Sequence, residues 1–432
     1  MDSPRRKVTS QLLNSMSMLR GDQDLSIIVQ YVPRRRIMRH AQMVAGLRQS
    51  YQYRLAPFAH AHATLDAITA LEQDDEVVRI YQDSPVHALL DQAPTHIGVP
   101  YIWATDYSGA GVSIAIVDTG VDSQHPDLEG RIVDLLDVTG EGEVDNNGHG
   151  THCASIAVGT GKASNGRYRG VAPGATVVSA RVLDAYGNGM MSDVMAGIDW
   201  AVSAGVQIIS LSLGGAGPLA GEDPLVELCH AAVDAGVMLC VAAGNTGPGR
   251  MTIGSPGSAE RVLTVGAVDR ADAIASFSSR GPTVDGRVKP DIVLPGSDIV
   301  AARATGTSLG TPQGEWYTAI SGTSMACPMA AGLCALTLQA RPSLRPAELK
   351  EAVMQSAIDL GADANAQGKG LADGRRLFAA LGIELATEPA APPATPAPSP
   401  GTQPEPPGAA LPDARPGCLV GWLNTLGRRV RP

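Results

Sequence analysis

The sequence is poor in aromatic side chains: three phenylalanines, four tryptophans and nine tyrosines make up 4% of its 432 residues. A core assembled from it has to rely on small aliphatic side chains and close backbone approach, and 49 glycines suit that need. No collagen-like period accompanies them. Cysteine is scarce and scattered. Cys153, Cys229, Cys240, Cys327, Cys334 and Cys418 each stand alone in apolar stretches, without the density of a disulfide scaffold or the paired spacing of a metal knuckle. They read as buried free thiols. Positive charge is not in excess, with 33 Lys and Arg against 43 Asp and Glu and a net charge of -10, which excludes an electrostatic footprint for nucleic acid or an anionic membrane. No apolar run reaches transmembrane length. The N-terminal stretch MDSPRRKVTSQLLNSMSMLRG lacks the sustained apolar segment of a secretory signal. Taken at face value this predicts a cytoplasmic protein, with export by a signal-independent route as the runner-up.

Four segments differ in pattern. Residues 1–92 hold DLSIIVQYV, PFAHAHATLDAITALEQDD and EVVRIYQD after a basic leader, which read as strand, helix and strand of a small α+β module. Residues 93–385 alternate short apolar strands with amphipathic helices, which predicts an α/β fold: a doubly wound, mainly parallel sheet flanked by helices. The strands are VSIAIVD, TVVSARVLD, VQIISLSLG, VMLCVAAGN and VLTVGAV; the helices are SDVMAGIDWAVSAG, PLVELCHAAVDAG and the nearly all-apolar TSMACPMAAGLCALTLQA. Residues 386–416 form a Pro/Ala tract that cannot bury enough apolar surface to fold and predicts an extended linker. Residues 417–432 combine Leu419, Trp422 and Leu423 with Arg428, Arg429 and Arg431, a short amphipathic tail suited to docking or to no role at all.

Three motifs carry chemistry. Asp118 closes the strand VSIAIVD, where a carboxylate emerges from a fixed backbone; alone it reads equally well as a turn former. NGHGTHCAS, residues 147–155, places His149 and His152 three apart at the start of a helix. A hydrolytic zinc helix spaces its histidines four apart around a glutamate, so zinc is disfavoured here. SGTSMACP, residues 321–328, puts Ser324 at a helix start, where unpaired amides and the dipole favour negative charge. Alone such a serine is a cap. Pro328 is read as a first-turn proline.

Together, in the order Asp, His, Ser, these segments and VDTGVDSQHPDL, SLSLGG, VAAGN, FSSRGP and KPDIVLPG resemble the subtilisin family of serine endopeptidases. The resemblance implies that Asp118 orients and stabilises an imidazolium, His149 is general base and then acid, and Ser324 is the nucleophile. It implies that Asn245 and the Ser324 amide receive the oxyanion. Peptides would add as a strand to SLSLGG and YGNGMM, with Ser212, Leu213, Gly214, Gly189, Ala243 and Gly244 binding substrate. No acidic residue in those motifs selects lysine or arginine, so a broad preference with an apolar bias is expected. Residues 1–92 resemble the family's propeptide, an intramolecular inhibitor removed by cleavage between about Leu89 and Pro94. The partners implied are protein or peptide substrates and the chain's own propeptide, and a monomer is expected.

Where the family pattern breaks, the expectations change. Cys153 resembles the free cysteine that some relatives carry beneath the catalytic histidine, which implies sensitivity to mercurials. Asp127 matches a family calcium ligand, but GTGKASNGRYRGVAP, residues 159–173, offers Asn165 as its only amide and no carboxylate, poor chemistry for a cation needing 6 to 8 oxygens. No metal or other cofactor is therefore expected to be required. The alternatives are a catalytically silent binding module on the same fold, an esterase that would need a G-x-S-x-G elbow and a dinucleotide-binding domain that would need a glycine fingerprint. The last two signatures are missing.

Overall fold

Strands that are apolar on both faces can stay buried only if helices cover both sides of their sheet, and the computed structural model has that arrangement. It describes residues 7–9, 12–13, 15–16, 24–32, 44–83, 85–88, 97–215 and 223–389. The expected linker beyond residue 389, the amphipathic tail, Cys418 and the expected cleavage region at 89–94 lie outside the described residues.

The N-terminal module runs β1 (Leu25–Tyr31), β2 (Leu47–Gln52), β3 (Phe58–Ala63), α1 (Leu65–Gln73) and β4 (Val77–Gln82), and β5 (Pro85–Ala88) follows. Then come β6 (Ser113–Asp118), β7 (Ile132–Asp137), α2 (His149–Val158), β8 (Thr176–Arg181), β9 (Asn188–Met190), α3 (Met191–Ser203), β10 (Ile208–Leu211), β11 (Leu213–Gly214), α4 (Pro224–Asp234), β12 (Met238–Ala242), β13 (Leu263–Val268) and β14 (Ile292–Pro295). A small antiparallel sheet of β15 (Ile299–Ala302), β16 (Thr311–Pro312) and β17 (Tyr317–Ile320) precedes α5 (Thr323–Ala340) and α6 (Pro346–Gln355).

The central sheet has seven strands in the order β14-β13-β12-β10-β6-β8-β7, all parallel. Side chains alternate between its faces. Along β6, Ile114 and Ile116 join the core cluster built on α2 and α5, while Ala115 and Val117 join the one built on α3 and α4. All but the last two residues of α5 are buried, so this helix runs through the interior. Among the described residues no helix is long and apolar enough to cross a membrane.

One expectation in the N-terminal module is corrected. The stretch from Phe58 to Ala63, read as the start of a helix, is a strand at the middle of an antiparallel sheet ordered β2-β3-β1-β4. Its alternation of buried and half-buried residues is a period of two, and the helix begins only where Thr64 accepts from the Ala67 amide as its cap. The second strand, β2, was not anticipated, nor were the edge strands β7 and β14.

One face of this small sheet packs on α1. The other contributes Ile28, Tyr53, Phe58 and Tyr81 to the α3–α4 side of the main core. Two carboxylates fasten the contact. Asp83 accepts from the Ser192 amide at 2.7 Å and its hydroxyl at 2.6 Å, at the start of α3. Asp199, on α3, accepts from the amides of Arg54 at 3.0 Å and Leu55 at 2.6 Å and from the Tyr51 hydroxyl at 3.2 Å. Replacing Asp199 with alanine strands those donors and is expected to cost about 2–3 kcal/mol. The midpoint of denaturant unfolding of the full-length chain measures it, and an unchanged midpoint would contradict this reading of the contact.

Candidate active site

Asp118 ends β6, and its carbonyl accepts from the amides of Val182 at 2.8 Å and Leu183 at 3.2 Å, so the backbone that carries the carboxylate is pinned to the neighbouring strand's exit. The side chain is fully buried. Its Oδ1 accepts from His149 Nδ1 at 2.7 Å and from the Thr119 amide at 2.8 Å, and among the described residues Oδ2 has no partner. A buried carboxylate with so little compensation holds tightly to the one neighbour able to become a cation.

His149 opens α2 after Gly148, whose φ of 101° is a left-handed conformation that favours glycine. Burial opposes protonation of the His149 imidazole, but the charge of Asp118 and the Cys153 thiol outweigh it and hold the pKa well above the ordinary histidine value. His152 is different. Its Nε2 lies 3.2 Å from the carbonyl oxygens of both Ile299 and Thr318, and burial pushes its pKa down to about 3. It is a neutral core histidine joining α2 to the small sheet.

Ser324 occupies the first turn of α5, where amides have no intrahelical acceptor. Pro328 lies in the second turn, not the first as expected from sequence. Its ring lacks an N–H, so the Ser324 carbonyl four residues back has no helical donor. That carbonyl instead accepts from the Ser212 hydroxyl at 2.8 Å and from the Cys153 thiol at 3.5 Å, and the Ser324 hydroxyl in turn donates to the Ser212 carbonyl at 3.0 Å. Cys153 also lies 3.9 Å from His149 Nδ1. One thiol therefore touches both the imidazole and the serine backbone.

Asn245 follows β12. Its side-chain oxygen accepts from the Thr323 amide at 3.0 Å and the Thr323 hydroxyl at 3.1 Å. Because both lone pairs are engaged, the amide nitrogen of Asn245 is turned to the opposite side. Thr323 is an orienting residue that the sequence did not disclose, since a threonine beside a serine carries no signal of its own. Gly244, with φ of 108°, leaves no room for a Cβ, which would meet Ser279 Oγ at 2.8 Å. Ala243 is fixed by its amide to the Val265 carbonyl at 2.9 Å.

The remaining residues expected to bind substrate lie on backbone that already carries a strand. β5 is the middle of a three-stranded sheet, antiparallel to β11 on one side and β9 on the other. Leu213 faces Ala88, Gly214 faces His87, and Gly189 faces Val86.

The donor atoms of Asp118, His149 and Cys153 lie within 4.8 Å of one another. Burial raises the Cys153 pKa, so the group beside the imidazole is a neutral thiol. A calcium site is another matter. Asp127 Oδ1 accepts from the Ala163 amide at 2.9 Å and Oδ2 from the Tyr317 hydroxyl at 2.8 Å. Each oxygen of this carboxylate thus already accepts from a donor of the chain.

A model described as the subtilase family matches residues 109–373. The chain belongs to the subtilase family. Serine protease AprX of Bacillus subtilis is 41% identical over 307 residues, covering 65% of this chain and 69% of that protein. Subtilisin E of the same organism is 34% identical over 321 residues, covering 72% and 78%. The solved structure of fervidolysin from Fervidobacterium pennivorans, described as a keratinolytic enzyme related to subtilisin, superposes with a TM-score of 0.68 at 23% identity. It covers 85% of this subtilase, which spans 62% of the fervidolysin chain. The chain is thus a hydrolase of the serine endopeptidase class.

If the raised His149 pKa governs activity, the acid limb of kcat/KM in this subtilase lies above the ordinary imidazole value of about 6.5. Only the neutral ring accepts a proton, so activity is lost as pH falls through that limb. Asp118→Asn is expected to shift the limb downward and lower kcat on the order of 10⁴-fold; a pH profile with an unmoved limb would contradict the assignment.

Proposed function

We propose that this subtilase cleaves peptide bonds through a covalent acyl-enzyme formed on Ser324, with His149 as proton carrier and Asp118 as its orienting anion. The observation that carries the reading is the buried 2.7 Å bond from His149 Nδ1 to Asp118, which leaves the imidazole's second nitrogen as its proton-accepting position. The Ser324 proton passes to that nitrogen as the hydroxyl oxygen bonds to the scissile carbonyl carbon. The oxygen that gains charge is received by the Asn245 amide and the Ser324 N–H. Collapse breaks the C–N bond as the imidazolium returns its proton to the leaving amine, and a water repeats the sequence to release the acid. Removing the Asn245 amide is expected to cost about 10²–10³-fold in kcat, the magnitude measured for an oxyanion donor of a subtilisin.

Residues 1–92 act, in this reading, as an inhibitory propeptide whose strand β5 occupies the substrate's place. Its pairing supports that assignment. Gly214 faces His87 and Leu213 faces Ala88, so the antiparallel pairing of β5 runs toward Ser212, whose carbonyl accepts from the Ser324 hydroxyl. Cleavage in this reading falls beyond Ala88, between about Leu89 and Pro94, and the apolar Leu89 and Leu90 of the sequence are in keeping with an apolar bias.

Two experiments test this. Mass spectrometry of the active species is expected to find a new N-terminus between residues 89 and 94, while Ser324→Ala stays at the full 44.6 kDa. Active enzyme that still begins at Met1 would contradict the propeptide assignment. Because Asp127 is already engaged by Ala163 and Tyr317, chelation by EGTA is expected to leave thermal stability and peptidase activity unchanged. A lowered midpoint restored by calcium would show that a site exists elsewhere.

A further inference from the structure

Asp118 and His149 belong to segments that the chain separates by a loop, and a hydrogen bond of 2.7 Å between them requires the end of β6 and the start of α2 to be held together. A carboxylate outside the triad does this. Asp145, 1% exposed, accepts five hydrogen bonds. Its Oδ1 takes the Thr119 hydroxyl at 2.9 Å and the amides of Asn147 at 3.1 Å and Gly148 at 2.7 Å. Its Oδ2 takes the Thr151 amide at 2.9 Å and hydroxyl at 2.6 Å. Thr119, the residue next to Asp118, completes the link: while donating to Asp145, its hydroxyl accepts from the Gly150 amide at 2.9 Å. At the start of α2 the Gly148 and Thr151 amides are thereby satisfied by this anion and the Gly150 amide by Thr119, while the His149 amide donates to the Asn147 side-chain oxygen at 3.2 Å.

The packing leaves no slack. A Cβ at Gly150 would lie 2.1 Å from the Gly120 carbonyl oxygen and 3.2 Å from Asp118 Cβ, so the backbone just after His149 lies against the turn that follows Asp118. The anion is itself held from below. Arg181, fully buried at the end of β8 and in register with Asp118, donates to the carbonyls of Gly142 at 2.8 Å and Val144 at 2.7 Å and pairs with Glu141. This fixes the loop that delivers Asp145. A buried arginine and a buried aspartate are costly to desolvate. Neither is needed for the core, which small aliphatic residues already fill.

We propose that Asp145, steadied by Arg181 and acting through Thr119, is the positioning residue that sets the distance between Asp118 and His149. The proposal rests on the reading of His149 as the base of the reaction. Residues that position a reacting group act steeply, since a displacement of about 1 Å costs on the order of 10²-fold. A loss confined to His149 geometry appears in kcat and in the acid limb of the pH profile, and leaves KM alone.

The test compares wild type, Asp145→Asn, Thr119→Val and Thr119→Ser on a chromogenic peptide, with all chains matured by a trace of wild-type enzyme and counted by phosphonate titration. Thr119→Val retains the side-chain volume but removes the hydroxyl, and Thr119→Ser returns it. Asp145→Asn and Thr119→Val are each expected to lower kcat about 10- to 100-fold per titrated site, with KM within twofold of wild type and the acid limb displaced downward. Thr119→Ser is expected to restore both. Should Asp145→Asn fail to fold, the Thr119 pair decides alone. Wild-type kcat and an unmoved limb in folded Thr119→Val would overturn the proposal, as would a loss shared equally by kcat and KM with the limb unmoved. Turnover retained by Ser324→Ala in the same assay would instead overturn the reading on which the proposal rests.

Discussion

A carboxylate and an imidazole held 2.7 Å apart, with neither reaching solvent, form the contact to which the rest of the molecule is fitted. Burying one charge without its partner would cost several kcal/mol. The pair persists only because its backbones are fixed beforehand. The carboxylate stands at the exit of a central strand with paired neighbours on either side, and the imidazole at the first residue of a helix packed against the long buried helix α5. A parallel sheet places the carboxyl ends of its strands along one edge. In this chain the same edge supplies Asp118 from β6, Ser212 from the exit of β10 and Asn245 from the exit of β12.

The nucleophile is set by a different device. A proline in the second turn of α5 releases the Ser324 carbonyl from the helix, and Ser212 takes it up. The serine is thereby bound to the strand segment on which β5 lies. β5 adds between β9 and β11 as an extended peptide would. Asp83 and Asp199 hold the module that carries β5 against helix α3, at a distance from the catalytic groups.

Much of this was legible in the sequence. The five strands and three helices of the main domain that were predicted all appear, because apolar runs ended by glycine or asparagine leave few alternatives in an α/β chain. Asp118, His149 and Ser324 could be named because each lies within a motif longer than itself. What remained hidden depended on tertiary partners. FAHAHA looks like the approach to a helix until its alternation meets a neighbouring strand. Asp145 looks like a turn residue, since nothing local shows that five donors converge on it. Thr323 and Arg181 are likewise common residue types whose roles come from what the fold places beside them.

The central claim is that Ser324 is made nucleophilic by an imidazole held in place by Asp118. The rate of phosphonylation by a fluorophosphonate, with the adduct located by peptide mass, measures that property without any substrate preference. The account predicts a single adduct on Ser324 in mature enzyme, formed at least several hundredfold more slowly in His149→Ala and in Asp118→Ala, on the order of what a lost triad member costs. An adduct on another residue, or equal rates in the three proteins, would contradict it.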